Sequence, residues 1–425
     1  MAIFVLLTFI ASYLLLALLP KKRALIIWCG VVLLLLAGAV SVRQFPGLIN
    51  WDVLFIFTGM AVLVELLTYS EVPKVMVEKI LEIIPNPAII ILVLSILSGL
   101  ISMVMENVAT FLLMVPLVLS FSRRIENFPV GATLAAVAFA SNLQGSATLI
   151  GDPPSMILGQ FARLGFNDFF FYQNKPGIFF MVEIAALASF LYIFFYFRGY
   201  SQRLPPSAEQ PVQKNTVVSF FPAGLLLGLI LTLALVKKPA FSVGQWCLLF
   251  AGIGLGWFVF RGHIKKTTRP LLALDGETLF FLGGVFILVG VVQNYGWIEY
   301  LANSLSRIGW LGTKKFLVFN FIVWFSVLVS GFVDNVPYIV AGLPLVEILS
   351  KNFAGGEMLF YYGLLLGTTG GGNITPFGST TGIVAYSLIQ KQDQKFGWKD
   401  FLKFGFLFSI ISVLAGEVFL LLFWY

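Results

Sequence analysis

Met105-Glu106-Asn107-Val108, separated by seven residues from Pro116-Leu117, is matched further along by Val333-Asp334-Asn335-Val336, separated by seven residues from Pro344-Leu345. Each stretch is trailed by a polar, glycine-rich segment. The first is Ser141-Asn142-Leu143-Gln144-Gly145-Ser146-Ala147-Thr148-Leu149-Ile150-Gly151, and the second is Gly370-Gly371-Gly372-Asn373-Ile374-Thr375-Pro376-Phe377-Gly378. Polar glycine-rich segments placed twice in an otherwise apolar chain mark the substrate region of a duplicated carrier.

Working outward, other blocks recur in the same order. Asp52-Val53-Leu54-Phe55 with Gly59 matches Glu277-Thr278-Leu279-Phe280 with Gly284, and Gly165-Phe166-Asn167-Asp168-Phe169 matches Gly397-Trp398-Lys399-Asp400-Phe401. The spacing predicts a first half over 1–199, a polar, proline-rich linker over 200–215 and a second half over 216–425.

The chain is 59% hydrophobic and 11% charged, against roughly a quarter charged in soluble domains. Apolar runs recur from end to end, so the expected class is an all-α polytopic membrane protein. A β-barrel would show short alternating segments instead. The net charge of +7 comes from basic residues in short clusters between apolar runs, the positive-inside pattern rather than a nucleic-acid surface. Cys29 and Cys247 lack metal or disulfide spacing and read as buried packing thiols. His263 reads as a solvated residue of a basic loop. Met1 to Leu19 reads as a retained first helix ending at a cytoplasmic stop, Pro20-Lys21-Lys22-Arg23, not as a signal peptide.

Apolar runs 88–104 and 108–122 are split by only three residues, as are 315–331 and 337–350. Three residues cannot carry a chain back outside a bilayer. Each pair therefore reads as a re-entrant hairpin, 88–122 and 315–350, whose polar tip lies at depth, where protein or a water-filled cavity must line it. The segments that follow, 130–164 and 358–390, are each apolar, then polar and glycine-rich, then apolar again. They read as broken helices, with glycine releasing the backbone and Pro153-Pro154 and Pro376 blocking its continuation. Val72–Ile84 and Trp297–Ile308 read as interfacial amphipathic helices. With the N-terminus outside an inner (cytoplasmic) membrane, most of the 27 Lys and Arg fall in inside loops. The two halves are then inverted, an alternating-access architecture.

Glu106 and Asp334 occupy the same place in the two tips. An ionisable group at membrane depth costs ~3 kcal/mol or more. Either they cap the hairpins' second arms or they bind Na+ or carry a proton. Asn107 and Asn335 offer donors and acceptors at once beside helix N-termini able to hold an anion; hairpin capping is the plainer role. The loops add Asn142, Ser146, Thr148, Asn373, Thr375, Ser379 and Thr380, with freed carbonyls around Gly145, Gly151, Gly372 and Gly378. Asp152, whose counterpart is Ser379, is either a loop cap or a coupling site. Na+ is expected at the two pairs of tip and loop. No Arg, Lys or His falls in the four motifs, which argues against charge pairing with a multivalent anion. No cofactor is expected beyond Na+ or H+ as coupling ion.

At these residues the chain resembles the ion-transporter superfamily with the citrate-transporter-like domain, closest to its branch of arsenite permeases (ArsB), NhaD-type antiporters and P-proteins. Ser141 to Pro154 is similar to that branch's loop signature. Glu106-Asn107-Val108 is similar to its Asp-Asn-Val tip, with Glu for Asp, and Asn373 to Gly378 to its second loop. The resemblance implies an elevator mechanism, a homodimer and a small-molecule or ion substrate in a lipid bilayer. The expected function is a secondary permease for a small anion or arsenite, coupled to Na+ or H+. The alternative is a sodium/proton antiporter using Glu106 and Asp334. A channel is disfavoured by the inverted re-entrant repeats. An enzyme is disfavoured by the lack of an HExxH motif or a His/Cys cluster.

Overall fold

Two helical hairpins of matching length organise the chain, and their arms are too short to cross a bilayer. The arms Pro87–Ser102 and Asn107–Ser122 have 16 residues each, as do Lys315–Ser330 and Asn335–Ser350. Sixteen residues rise about 24 Å, short of the ~30 Å hydrocarbon core. The turns between them are Met103 to Glu106 and Gly331 to Asp334.

The structure is a computed structural model describing residues 1–19, 22–82, 84, 86–123, 125, 127–200, 220–236, 241–260, 275–308, 314–353 and 355–425. The expected linker beyond Tyr200 and the loop holding His263 lie outside the described residues. Before the first hairpin come α1 (Ala2–Leu18), α2 (Arg23–Leu36), a single turn α3 (Phe45–Leu48), α4 (Trp51–Tyr69) and the amphipathic α5 (Val72–Glu82). The hairpin arms are α6 and α7. The broken helix is α8 (Val130–Gln144) and α9 (Pro153–Phe161), and α10 (Ile178–Phe197) closes this part. Next come α11 (Phe221–Leu235), α12 (Val243–Phe260), α13 (Gly276–Asn294) and α14 (Trp297–Ser306). The second hairpin is α15 and α16, followed by α17 (Glu357–Gly371), α18 (Thr380–Gln392) and α19 (Trp398–Phe423). The strands described are β1 (Phe171–Tyr172) and β2 (Lys175–Pro176), an antiparallel pair ahead of α10, which the sequence pattern did not suggest.

Among the described residues, α4, α10, α12, α13 and α19 are long and apolar enough to span a membrane. The chain is an integral, multi-pass, mostly helical membrane protein. A polar segment separates α8 from α9 and α17 from α18. Gln144 ends α8, and the next helix starts at Pro153 in N1, a position that needs no N–H.

The first half of each broken helix packs against both arms of its own hairpin, α8 on α6 and α7, and α17 on α15 and α16. Small residues allow this approach. A Cβ on Gly367 would lie 2.3 Å from the Val323 carbonyl oxygen, and one on Gly371 2.6 Å from that of Val327. In the other arrangement contacts cross between early and late helices: α2 packs on α13, and α12 on α4. Gly59 accepts the Cys247 backbone and Gly284 accepts Ile27 and Trp28. Cys247 is buried as expected, but Cys29 is exposed, because it lies on the face of α2 turned away from α13.

Candidate functional site

At the first tip, Glu106 caps α7, its carboxylate accepting from the Ala109 N–H at 3.3 Å. Asn107 turns inward. Its Oδ1 accepts from Ser102 Oγ at 2.6 Å and its Nδ2 donates to Asn142 Oδ1 at 3.4 Å. Gly145 lies against this amide so closely that a Cβ would stand 2.1 Å from Asn107 Oδ1. Thr148 Oγ1 donates to the Met103 carbonyl, tying the loop to the tip. Asp152 caps α9 through the Ser155 N–H at 3.0 Å. Its other oxygen, Oδ2, is buried with no hydrogen-bond partner among the described residues.

The second tip repeats these devices. Asp334 caps α16 by accepting from the Val336 N–H at 3.0 Å. The Asn335 amide nitrogen faces the Thr368 and Gly378 carbonyls at 3.0 and 3.1 Å, with Ser330 Oγ 2.6 Å away. A Cβ on Gly372 would stand 2.5 Å from the Asn335 amide. Thr375 Oγ1 donates to the Gly331 carbonyl at 2.5 Å, and Ser379 caps α18 through the Gly382 N–H at 3.1 Å. The loops meet where Asn142 Nδ2 donates to Asn373 Oδ1 at 2.9 Å, while Asn373 Nδ2 donates to the Phe139 carbonyl at 3.3 Å.

Between the tips lies a cavity of about 50 Å³, lined by Glu106, Asn107, Asn142, Asp152, Asp334, Asn335, Ser379 and Thr380 together with Arg23, Phe57, Thr278 and Phe281. A single water needs roughly 10–15 Å³ on this measure, so the cavity can take a small ion with several waters. The N-termini of α7, α9, α16 and α18 all reach it with the positive ends of their helix dipoles; α7, α16 and α18 also bring unpaired N–H groups, whereas α9 opens on Pro153-Pro154 and brings none.

Ser146, Thr148, Asn373 and Thr375 do not line the cavity; their polar groups hold the loops, Ser146 Oγ for example donating to the Leu143 carbonyl at 2.8 Å. Gly145, Gly151, Gly372 and Gly378 are close-packing positions. A Cβ on Gly151 would meet the Gly145 carbonyl oxygen at 2.2 Å, and one on Gly378 the Ser330 carbonyl oxygen at 2.6 Å. Among the described residues no group of three or more His, Cys, Asp or Glu is placed to hold a metal ion together. A Na+ here would therefore draw on a carboxylate together with amide, hydroxyl and carbonyl oxygens.

The expectation of a site without a basic residue is corrected by Arg23. Assigned from the sequence to a cytoplasmic stop, it starts α2 and reaches the cavity with its side chain 13% exposed. Its NH1 donates to Thr380 Oγ1 at 2.5 Å and its NH2 to Thr278 Oγ1 at 2.7 Å. Asp334 stands 3.5 Å from NH1 and Asp275 3.8 Å from NH2, and the Phe281 ring lies 5.1 Å from the guanidinium carbon. Thr380 Oγ1 passes its own hydrogen to Asp334 Oδ2 at 3.0 Å. Thr278 was visible only as part of the repeated block beginning at Glu277. Arg23 could not be found from the motifs because it arrives from another helix.

Known proteins fit this picture. An uncharacterized transporter of Mycobacterium tuberculosis is 28% identical over 382 residues, covering 88% of this chain and 86% of its own length. The human P protein is 24% identical over 405 residues, covering 78% of this chain and 48% of its own length, so the match spans about half of that protein. The fold is shared with the YdaH transporter of Alcanivorax borkumensis, at a TM-score of 0.62 and 14% identity over 89% of this chain and 86% of that one. It is shared also with MtrF of Neisseria gonorrhoeae, described as an antimetabolite efflux pump, at 0.57 and 13% over 92% and 83%. Residues 13–364 match the model of the citrate transporter family, and the chain, a membrane transporter and not an enzyme, belongs to that family.

Proposed function

We propose that the chain is a secondary active carrier of a small anion or arsenite, coupled to Na+ or H+, which alternates access by an elevator movement of the hairpins and broken helices. The observation that carries this is the single cavity where four helix N-termini, three carboxylates and one guanidinium meet. The N–H groups at the starts of α7, α16 and α18 and the Arg23 guanidinium suit an anion; the carboxylates suit a cation. Inverted repeats are supported by the reciprocal packing of α2 on α13 and α12 on α4, since a two-fold relation between halves makes such contacts come in pairs.

The test is charge movement in proteoliposomes on a solid-supported membrane, with pulses of succinate, citrate, sulfate and arsenite, each with and without Na+ and across a pH step. Tracer flux would cover an electroneutral carrier. A response that requires one of these solutes, and is altered by Na+ or pH, is the expected result. A response to Na+ or pH alone, unchanged by every solute, would reject it in favour of a sodium/proton antiporter. That second reading has its own support, because Glu106, Asp152 and Asp334 outnumber Arg23 around the cavity.

A further inference from the structure

We propose that Arg23 is the residue that receives the substrate's oxyanion, and that Asp334 holds its place in the empty carrier until a coupling cation neutralises it. The inference rests on the reading of the site as an anion carrier and adds the residue and the exchange by which cation and anion are linked.

The geometry is that of a guanidinium held but not used up. Arg presents five N–H donors in a planar fork suited to two oxygens at once. Among the described residues, its hydrogen bonds go to two hydroxyls, Thr380 and Thr278. The two nearby carboxylates stand at 3.5 and 3.8 Å, beyond the 2.7–2.9 Å of a charge-assisted hydrogen bond. Both threonines also donate onward, Thr380 to Asp334 and Thr278 to Asp275. The hydroxyls thus orient the fork while its charge is balanced through space. The fork faces a cavity with room for several waters.

Asp334 is the group an incoming oxyanion would have to compete with. Its Oδ1 is committed to the Val336 N–H and its Oδ2 takes the Thr380 hydroxyl 3.5 Å from Arg23. Two anions beside one guanidinium repel each other. A Na+ at Asp334 offsets one of them, so the anion binds better when the cation is bound. By linkage, the cation then binds better when the anion is bound. Arg23 acts on Glu106 of the first tip only from a longer distance. Among the described residues no Lys, Arg or His lies within 4 Å of Glu106 or Asp152. The exchange therefore belongs to the second tip.

A guanidinium selects charged oxyanions over neutral solutes of similar size. Arsenous acid is uncharged at neutral pH, so the exchange favours a charged oxyanion such as a carboxylate or sulfate over arsenite.

The experiment uses the full chain in proteoliposomes, with the solute panel above as probes. For a transported anion, Arg23→Gln is expected to raise KM at least tenfold, and Arg23→Lys to raise it less. Asp334→Asn is expected to lose the dependence of anion KM on Na+. Size-exclusion profile and thermal stability show whether each variant is folded, and Arg23→Lys carries the test if Arg23→Gln is not. An unchanged KM in folded Arg23→Gln, or in folded Arg23→Lys where Arg23→Gln does not fold, would overturn the proposal, as would a wild-type preference for arsenite over every charged anion. So would an Asp334→Asn variant that transports with wild-type cation dependence. If the wild type moves no anion at all, the carrier reading itself fails, which is distinguishable because the other failures leave anion flux in the wild type intact.

Discussion

The two hairpin tips share their backbone engineering and differ in charge. In both, an acidic residue caps the second arm, the next asparagine turns inward onto a serine five residues back, and a glycine presses on its amide. The surroundings differ. Glu106 and Asp152 face the cavity on one side with no basic neighbour within 4 Å among the described residues. On the other, Asp334 has Arg23, Thr380 stands opposite Pro153 of the first copy, and Ser379 replaces Asp152. Tyr13 of α1 also reaches this side, donating to the Pro337 carbonyl at 2.8 Å. The parts that shape the loop are shared, while those that set its charge have diverged. This is what a site needs if its two sides are to bind different ions.

The shared part should break first and hardest. Gly151→Ala is expected to abolish transport and sharply cut the yield of monodisperse protein, because its Cβ would meet the Gly145 and Met103 carbonyl oxygens at 2.2 and 2.9 Å. Overpacking typically costs about 1–3 kcal/mol, and here the neighbours are backbone. Gly378→Ala should act the same way at the second tip, and full tolerance there would deny that the loops are equivalent.

Charge changes should then separate the tips. Asp334→Asn leaves Arg23, among the described residues, with Asp275 as its one carboxylate within 4 Å, and is expected to lower stability by about 1–2 kcal/mol, less than the roughly 3–5 of a fully buried broken pair. Glu106→Gln removes a carboxylate that has no such partner, and should leave thermal stability unchanged or raise it. Equal melting shifts for the two variants would erase the distinction. Asp152→Asn keeps the oxygen that caps α9 and is expected to fold normally while weakening the response to Na+ or pH, as read by cation-dependent current.

Smaller effects test the equivalence again. Ser102→Ala and Ser330→Ala each remove one buried hydrogen bond to a tip asparagine and should each cost about 1 kcal/mol. Ser379→Ala removes the α18 cap, again about 1 kcal/mol, while Ser379→Asp, which copies the first half, should keep that stability. Differential scanning fluorimetry of the purified chain resolves all of these.

Much of this was legible beforehand because it is local. The arms, tips and helix breaks follow from apolar run length, glycine and proline, and capping by Glu106, Asp152 and Asp334 was one of the two roles the sequence offered for them. The repeat made eight of the cavity's lining residues nameable. Division of labour within the loops was not legible. Ser146 and Thr148 have the same chemistry as Thr380, and only packing decides that they bond carbonyls while Thr380 faces the cavity.

The sequence alone determined a membrane chain written twice, with two polar tips and two glycine breaks, since periodicity and backbone preference act within a few residues. Only the tertiary structure decided that α2 lies on α13, leaving Cys29 exposed and bringing Arg23 to Thr278, Thr380 and Asp334. Those partners are 255 to 357 residues apart where hydrogen-bonded. Electrostatic pairing depends on distance in space, and no local pattern carries it.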